Sequence, residues 1–194
     1  MNTHRRGRLP PGHIRIIGGS LRGSRLSVPT LPGLRPTPQR LRQTLFDWLA
    51  PMIDGARVLD LFAGSGALGI EALSRGAGSA TFCERSPAQA RAIEADLVRL
   101  RQPEGRVRCA DSLQELAAPA PGSFDIVFID PPFDAGLWTP AAVLLDANGW
   151  LAPAAWVYVE TGRDDAPELP ARWRIHRASE AGAVRGTLFR IGPS

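Results

Sequence analysis

Four acids in this chain stand where short apolar runs end: Asp60, Glu84, Asp111 and Asp130. The runs before them are Val58-Leu59, Ala80-Thr81-Phe82-Cys83, Val107-Arg108-Cys109-Ala110 and Ile126-Val127-Phe128-Ile129. Each belongs to a segment with the length and the β-branched or aromatic content of a strand, the first spanning residues 57–62. An acid at the carboxyl end of a strand lies on the edge of an α/β sheet where ligands bind. Any one of the four could equally cap the helix that follows it. Four in succession are hard to explain by capping alone.

The fourth acid has the most informative sequel, Asp130-Pro131-Pro132-Phe133. Neither proline can continue a central strand, because each lacks an amide donor and fixes φ. The strand therefore stops at Asp130 and leaves its carboxylate on the sheet edge. A rigid diproline turns backbone carbonyls outward and sets Phe133 as a flat wall. Two acceptors and a stacking face suit a planar ring with an exocyclic NH2, which describes a nucleobase. The bland alternative is a tight turn after the strand, with Phe133 in the core.

Around the first acid, residues 58–69 read strand, glycine turn, helix, and Gly64, Gly66 and Gly69 fit GxGxxG. That pattern alone suggests a dinucleotide site. Electrostatics argues otherwise. A dinucleotide lays an anionic pyrophosphate on the helix N-terminus, and Asp60 would repel it. A cofactor with a cationic amino-acid end and a sulfonium is favoured by the same carboxylate, and S-adenosyl-L-methionine meets that requirement. Glu84, 24 residues beyond Asp60, is placed to accept both ribose hydroxyls, as in either type of site. Asp111, with Ser112 beside it, is placed for the adenine amine.

These acids need a scaffold. Residues 13–28 alternate and are broken by Gly18-Gly19 and Gly23, which predicts a short β-ribbon. Residues 29–38 form a proline-punctuated connector. Leu41, Leu45, Phe46 and Leu49 fall at helical spacing, which predicts an amphipathic helix over 39–49. Strands are then expected at 57–62, 79–84, 106–110, 124–130, 156–160, 173–178 and 183–191. Helices are expected at 67–75, 87–100 and 112–117 and near 140–147. Alternation of this kind implies a doubly wound, mostly parallel sheet, and the last two strands read as a hairpin with one antiparallel member.

Composition narrows the setting. The chain has 194 residues, 44% of them hydrophobic, enough for one full-sized α/β domain. No apolar run is long enough to span a bilayer, and no apolar segment follows the basic N-terminus as in a secretory signal. Cys83 and Cys109 lack metal-ligand spacing, so a reducing compartment and no metal are expected. Both cysteines are expected in strands, as small buried residues. All 23 basic residues are arginines. Nine of them and no acid lie in residues 1–46, whereas the other 148 residues hold 14 arginines against 19 acids. A basic block attached to an acidic body points to a polyanionic partner such as nucleic acid.

Taken together, the segments RIIGGSLRGSRLSVP (15–29), GLRPTPQRLRQTLFDWL (33–49), VLDLFAGSGALGIEALSRGA (58–77), DPPF (130–133) and GAVRGTLFRI (182–191) resemble the RsmD family of bacterial 16S rRNA guanine-N2 methyltransferases. That family belongs to the class I S-adenosylmethionine-dependent methyltransferases. The resemblance runs from about residue 15 to 191. It implies a seven-stranded Rossmann-like sheet with an antiparallel C-terminal strand and a small N-terminal β-ribbon. Three segments follow: a disordered basic tail over 1–12, an RNA-contacting ribbon and connector over 13–38, and a methyltransferase domain over 39–194. The implied catalytic set is Asp130, Pro131, Pro132 and Phe133. The implied cofactor set is Asp60, Phe62, Gly64, Ser65, Gly66, Glu84, Arg85, Asp111 and Ser112, with Arg35 and Thr37 over the methionine end. Arg15, Arg22, Arg25, Arg40 and Arg42 are assigned to RNA. The implied partner is 16S rRNA or the assembled small ribosomal subunit, met in the cytoplasm by a monomer. Three alternatives stay open: an N6-adenine methyltransferase, whose target amine would use the same two acceptors; an NAD-dependent oxidoreductase, disfavoured by Asp60; and a non-catalytic RNA-binding assembly factor.

Overall fold

The computed structural model describes residues 13–27, 38–132 and 135–192. The basic tail, most of the connector with Arg35 and Thr37, and Phe133 lie outside the described residues. Two short strands open the fold, β1 (His13–Arg15) and β2 (Arg25–Ser27), followed by helix α1 (Gln39–Leu49). Then come β3 (Arg57–Asp60), α2 (Ala67–Ser74), β4 (Ser79–Cys83), α3 (Pro87–Arg99), β5 (Gly105–Arg108) and α4 (Ser112–Ala117). The chain continues through β6 (Phe124–Ile129), α5 (Trp138–Ala147), β7 (Leu151–Gly162), β8 (Trp173–Ala181) and β9 (Val184–Ile191).

Strands β3 to β9 form one sheet in the order β5-β4-β3-β6-β7-β9-β8. The pairs among β5, β4, β3, β6 and β7 are parallel, and β9 runs antiparallel between β7 and β8. The closing hairpin expected from sequence is therefore present, with its second strand on the inside. Burial explains the choice. β9 carries the apolar Gly-Thr-Leu-Phe run and is buried along 186–189, whereas β8 is exposed from Arg174 to Ala178. The strand with more apolar surface takes the position covered on both edges.

Both sheet faces are covered. One face packs Leu45, Phe46 and Leu49 of α1, Ile70 and Leu73 of α2, and Ile93 and Leu97 of α3. The other packs Leu116 of α4 and Trp138, Ala141, Ala142 and Leu145 of α5. β7 begins earlier than its sequence suggests, at Leu151, because exposed Pro153 sits where the β6–β7 register shifts and loses no ladder bond there. Cys83 is buried, but Cys109 lies one residue beyond β5 and is exposed, against expectation.

The β-ribbon is docked on the first of these faces. Ile14, Ile16 and Leu26 belong to its core, and each buried aliphatic side chain contributes about 1.5–3 kcal/mol. The backbone amides of Ile17 and Gly18 donate to the two oxygens of fully buried Glu71 on α2, at 2.7 and 2.8 Å. Leu21 N–H donates to Ser74 Oγ and Ser27 N–H to Asp96 of α3. Gly19 explains the double glycine. It has φ +74°, and a Cβ there would sit 1.8 Å from the Ser74 carbonyl oxygen. Only glycine permits both the backbone and the approach.

Candidate active site

β3, β4, β6 and β7 deliver four acids to one sheet edge. Asp60 ends β3 and is 2% exposed. Its Oδ2 accepts the Gly69 N–H at 3.0 Å, so the carboxylate lies under the glycine loop and ties the first turn of α2 to the strand. Burial pushes its pKa up from 3.8 to about 7; nearby Asp130 and Glu84 add to the rise, and the Gly69 bond opposes it. Gly66, at φ +74°, starts α2 in the left-handed conformation, and a Cβ there would press on Ile93 at 3.1 Å. Gly64 N–H donates to Glu84 Oε2 at 2.8 Å. The other oxygen of Glu84 accepts Ser86 N–H at 2.7 Å. The loop is thus fixed from below by Asp60 and from the side by Glu84.

Asp130 follows the last residue of β6 and is half-buried. Pro131 is buried and Pro132 exposed. The Pro132 carbonyl accepts Ala135 N–H at 3.0 Å. This corrects the expectation that both diproline carbonyls face outward; that of Pro131 meets no donor among the described residues. The Asp130 charge raises the pKa of Asp60 and of Tyr158, so all three groups share one electrostatic neighbourhood.

Other expected site residues fall into two groups. Phe62 and Ser65 are half-buried at the loop and Arg85 is exposed beside Glu84. Asp111 is exposed and caps α4, its Oδ1 accepting from Leu113 and Gln114 N–H at 3.0 and 3.1 Å. Ser112 departs from its expected role. It is 6% exposed, and its hydroxyl donates to the Leu61 carbonyl at 2.5 Å, so the side chain locks α4 to the end of β3.

The arginines divide likewise. Arg15, Arg22, Arg25 and Arg40 are exposed. Arg42 is 3% exposed and donates to the Arg15 carbonyl at 2.6 Å. It clamps the ribbon to α1 and is not available to RNA. The reason was present in the helical spacing. Arg42 precedes Phe46 by four and Leu49 by seven residues, which places it on the buried face.

Sequence reasoning missed Glu160. In the β6–β7 register it lies beside Asp130, one position beyond the pair Ile129 and Val159. It is 2% exposed, and the Tyr158 hydroxyl donates to its Oε2 at 3.0 Å. The signal that marked the other four, an acid ending an apolar strand, was equally present here. Among the described residues no cluster of His, Cys, Asp and Glu could hold a metal ion, and no helix is long and apolar enough to cross a membrane.

A seven-stranded sheet of this order, with a glycine loop after the first strand and acids along its carboxyl edge, defines a class I methyltransferase fold. Solved structures agree. A methyltransferase from Escherichia coli superposes with TM-score 0.85 at 46% identity, covering 94% of this chain and 100% of that one. An RNA methyltransferase from Salinibacter ruber, solved with S-adenosyl-L-homocysteine, shares the fold at TM-score 0.61 and 16% identity, covering 82% of this chain and 95% of that one. The family model described as "Conserved hypothetical protein 95" matches residues 14–190. Ribosomal RNA small subunit methyltransferase D of Escherichia coli is 47% identical over 180 residues, 92% of this chain and 90% of that protein. Its namesake in Haemophilus influenzae is 41% identical over 182 residues, 92% and 94% of the two chains. The chain belongs to this family, RsmD.

Proposed function

We propose that this protein transfers a methyl group from S-adenosyl-L-methionine to the exocyclic N2 amine of a guanine in 16S rRNA, free or in the small subunit. The observation that carries the reading is the placement of Asp130. Its carboxylate stands at the sheet edge, within electrostatic reach of the loop acid Asp60, and precedes a Pro131 carbonyl that meets no donor among the described residues. Membership in a family whose curated members are named as small-subunit rRNA methyltransferases supports the substrate.

The residues present fit the cofactor. Each Glu84 oxygen accepts one backbone amide, and the buried Gln89 side-chain amide also faces both oxygens, at 3.0 and 3.2 Å; two ribose hydroxyls would take the place of the Gln89 contact. Asp111 has a second oxygen for the adenine amine. When bound, S-adenosyl-L-methionine supplies an electrophilic methyl group on a sulfonium centre. Asp60, anionic once a cation lies near it, favours that charge. Arg35 and Thr37 are assigned to the methionine end.

The N2 lone pair of guanine is delocalised into the ring, so the nitrogen is a poor nucleophile. Asp130 and the Pro131 carbonyl accept its two N–H bonds and aim the nitrogen at the methyl carbon. As the N–C bond forms and the S–C bond breaks, positive charge grows on nitrogen, and the Asp130 carboxylate stabilises it. The surplus proton leaves afterwards to solvent. Phe133 is assigned to stack on the base, which must be unpaired or flipped, at a cost of a few kcal/mol. The exposed Arg15, Arg22, Arg25 and Arg40 hold RNA phosphates. The protein works as a cytoplasmic monomer.

Mass-spectrometric mapping of rRNA from a deletion strain tests this reading. One N2-methylguanine should disappear and return with the wild-type gene, whereas loss of an N6-methyladenine would select the adenine alternative. Asp130→Ala should not restore the mark, yet should bind S-adenosyl-L-methionine within a few-fold of wild type by calorimetry. Unchanged rRNA methylation in the deletion strain would overturn the proposal.

A further inference from the structure

The β8 edge of the sheet carries a second cationic surface. Trp156 of β7, Arg190 of β9 and Arg174 of β8 are register partners in turn, so they stand side by side across three strands. Trp156 packs on the core face that also receives α1, which fixes the side of the sheet. The Arg190 guanidinium lies over the Trp156 ring at 5.4 Å. His176, at the irregularity between Ile175 and Arg177, meets the same ring edge-on at 4.9 Å. Arg177 pairs with Leu188, a residue of that face's core.

Arg174, His176, Arg177 and Arg190 are all exposed. Arg174, Arg177 and Arg190 make no ion pair among the described residues. Of the neighbouring acids, Glu180 pairs with Arg163 and Arg185 and Asp146 with Arg172, and the exposed Asp164, Asp165 and Glu168 before β8 pair with none of the three arginines among the described residues. Asp47, the single acid of α1, is bonded to Gln43. The surface is therefore a concentration of uncompensated positive charge.

We propose that this surface binds the phosphate backbone of the RNA substrate, an inference that rests on the function proposed above. Planar guanidinium groups match phosphate bidentately. The contact with the indole already restrains Arg190, which lowers the entropy lost when it meets a ligand. Continuity supports the same partner. Helix α1 is clamped to the ribbon through Arg42 and touches β8 and β9 on its other side. Arg15 of the ribbon, Arg40 on α1 and the β8–β9 arginines thus border one helix. Arg190 lies four residues along β9 from Gly186, the register partner of Glu160, which is about 13 Å at the rise of a strand. Phosphates held there lie away from the reacting base, so the surface supplies affinity and register rather than chemistry.

The test is the triple variant Arg174→Ala/Arg177→Ala/Arg190→Ala, compared with the triple lysine variant at the same positions. Binding to a 16S rRNA fragment that wild-type protein methylates should weaken on the order of tenfold to a hundredfold near physiological salt, and the log–log salt slope should fall by about 2–3. Melting temperature and S-adenosyl-L-methionine affinity should stay at wild-type values, and the lysine variant should bind RNA within a few-fold of wild type. Unchanged RNA affinity and salt slope in the alanine variant would overturn the inference while leaving the proposed function standing. So would normal RNA binding with self-association, since charge on an edge strand also prevents strand pairing, or normal RNA binding with failure only on the assembled subunit, which would indicate a protein contact. A wild-type protein that methylates no rRNA fails the underlying function instead.

Discussion

Asp60 binds a proton more tightly in the folded chain than in the unfolded one, because burial raises its pKa from 3.8 to about 7. Between those values the folded state holds more protons, so this residue's contribution to stability falls as pH rises through that window. Asp60→Asn keeps an oxygen for the Gly69 amide and cannot ionise. Relative to wild type, the variant should gain stability from about pH 4 to about pH 8 in urea unfolding. A difference that does not change with pH would show that Asp60 ionises normally. At this scale the sequence was informative about which residues gather and less so about what each touches. The strand-end acids were found because an apolar run followed by an acid has few explanations. Ser112 was assigned to the ligand side but bonds to Leu61, because neighbouring residues in sequence can point to opposite sides of a strand-to-helix turn.

The ribbon joins exposed charge to a fixed seat. Its arginine side chains face solvent, while its backbone is tied to α2 and α3 by Glu71, Ser74 and Asp96. Glu71→Ala strands two part-buried amides and should destabilise the fold by about 2–4 kcal/mol in urea unfolding. Arg22→Ala, at an exposed side chain, should change stability by less than about 0.5 kcal/mol. Equal effects of the two substitutions would refute the docking described here. Helix α1 was legible to the residue because its apolar spacing is regular and Pro38 precedes it. β7 was not, since Pro153 reads as a loop until the register shift that accommodates it is seen. Double glycine marked a turn correctly, but the reason for Gly19, contact with α2 about fifty residues away in sequence, has no local signature.

On the scale of the whole molecule, strand–helix alternation was enough to infer a parallel doubly wound sheet. Placing β9 inside β8 required comparing their apolar content, which alternation does not do. The docking of the ribbon also orders events in time. Its hydrogen-bond partners on α2 and α3 lie 53 to 69 residues downstream. On the ribosome the ribbon emerges before α2 and α3 and waits, undocked, until both helices have been made and have packed on the sheet. Contacts of such sequence separation form late, because the loop they close must be ordered first. The ribbon, made before its partners, should thus be among the last elements to dock. Pulse-labelled hydrogen exchange during refolding should show the Ile17 and Gly18 amides gaining protection after those of β4, whose pairings with β3 and β5 span only 22 and 25 residues, and simultaneous protection would contradict that order. A chain stalled before α3 would present Ile14, Ile16 and Leu26 uncovered, a set of apolar side chains that chaperones recognise.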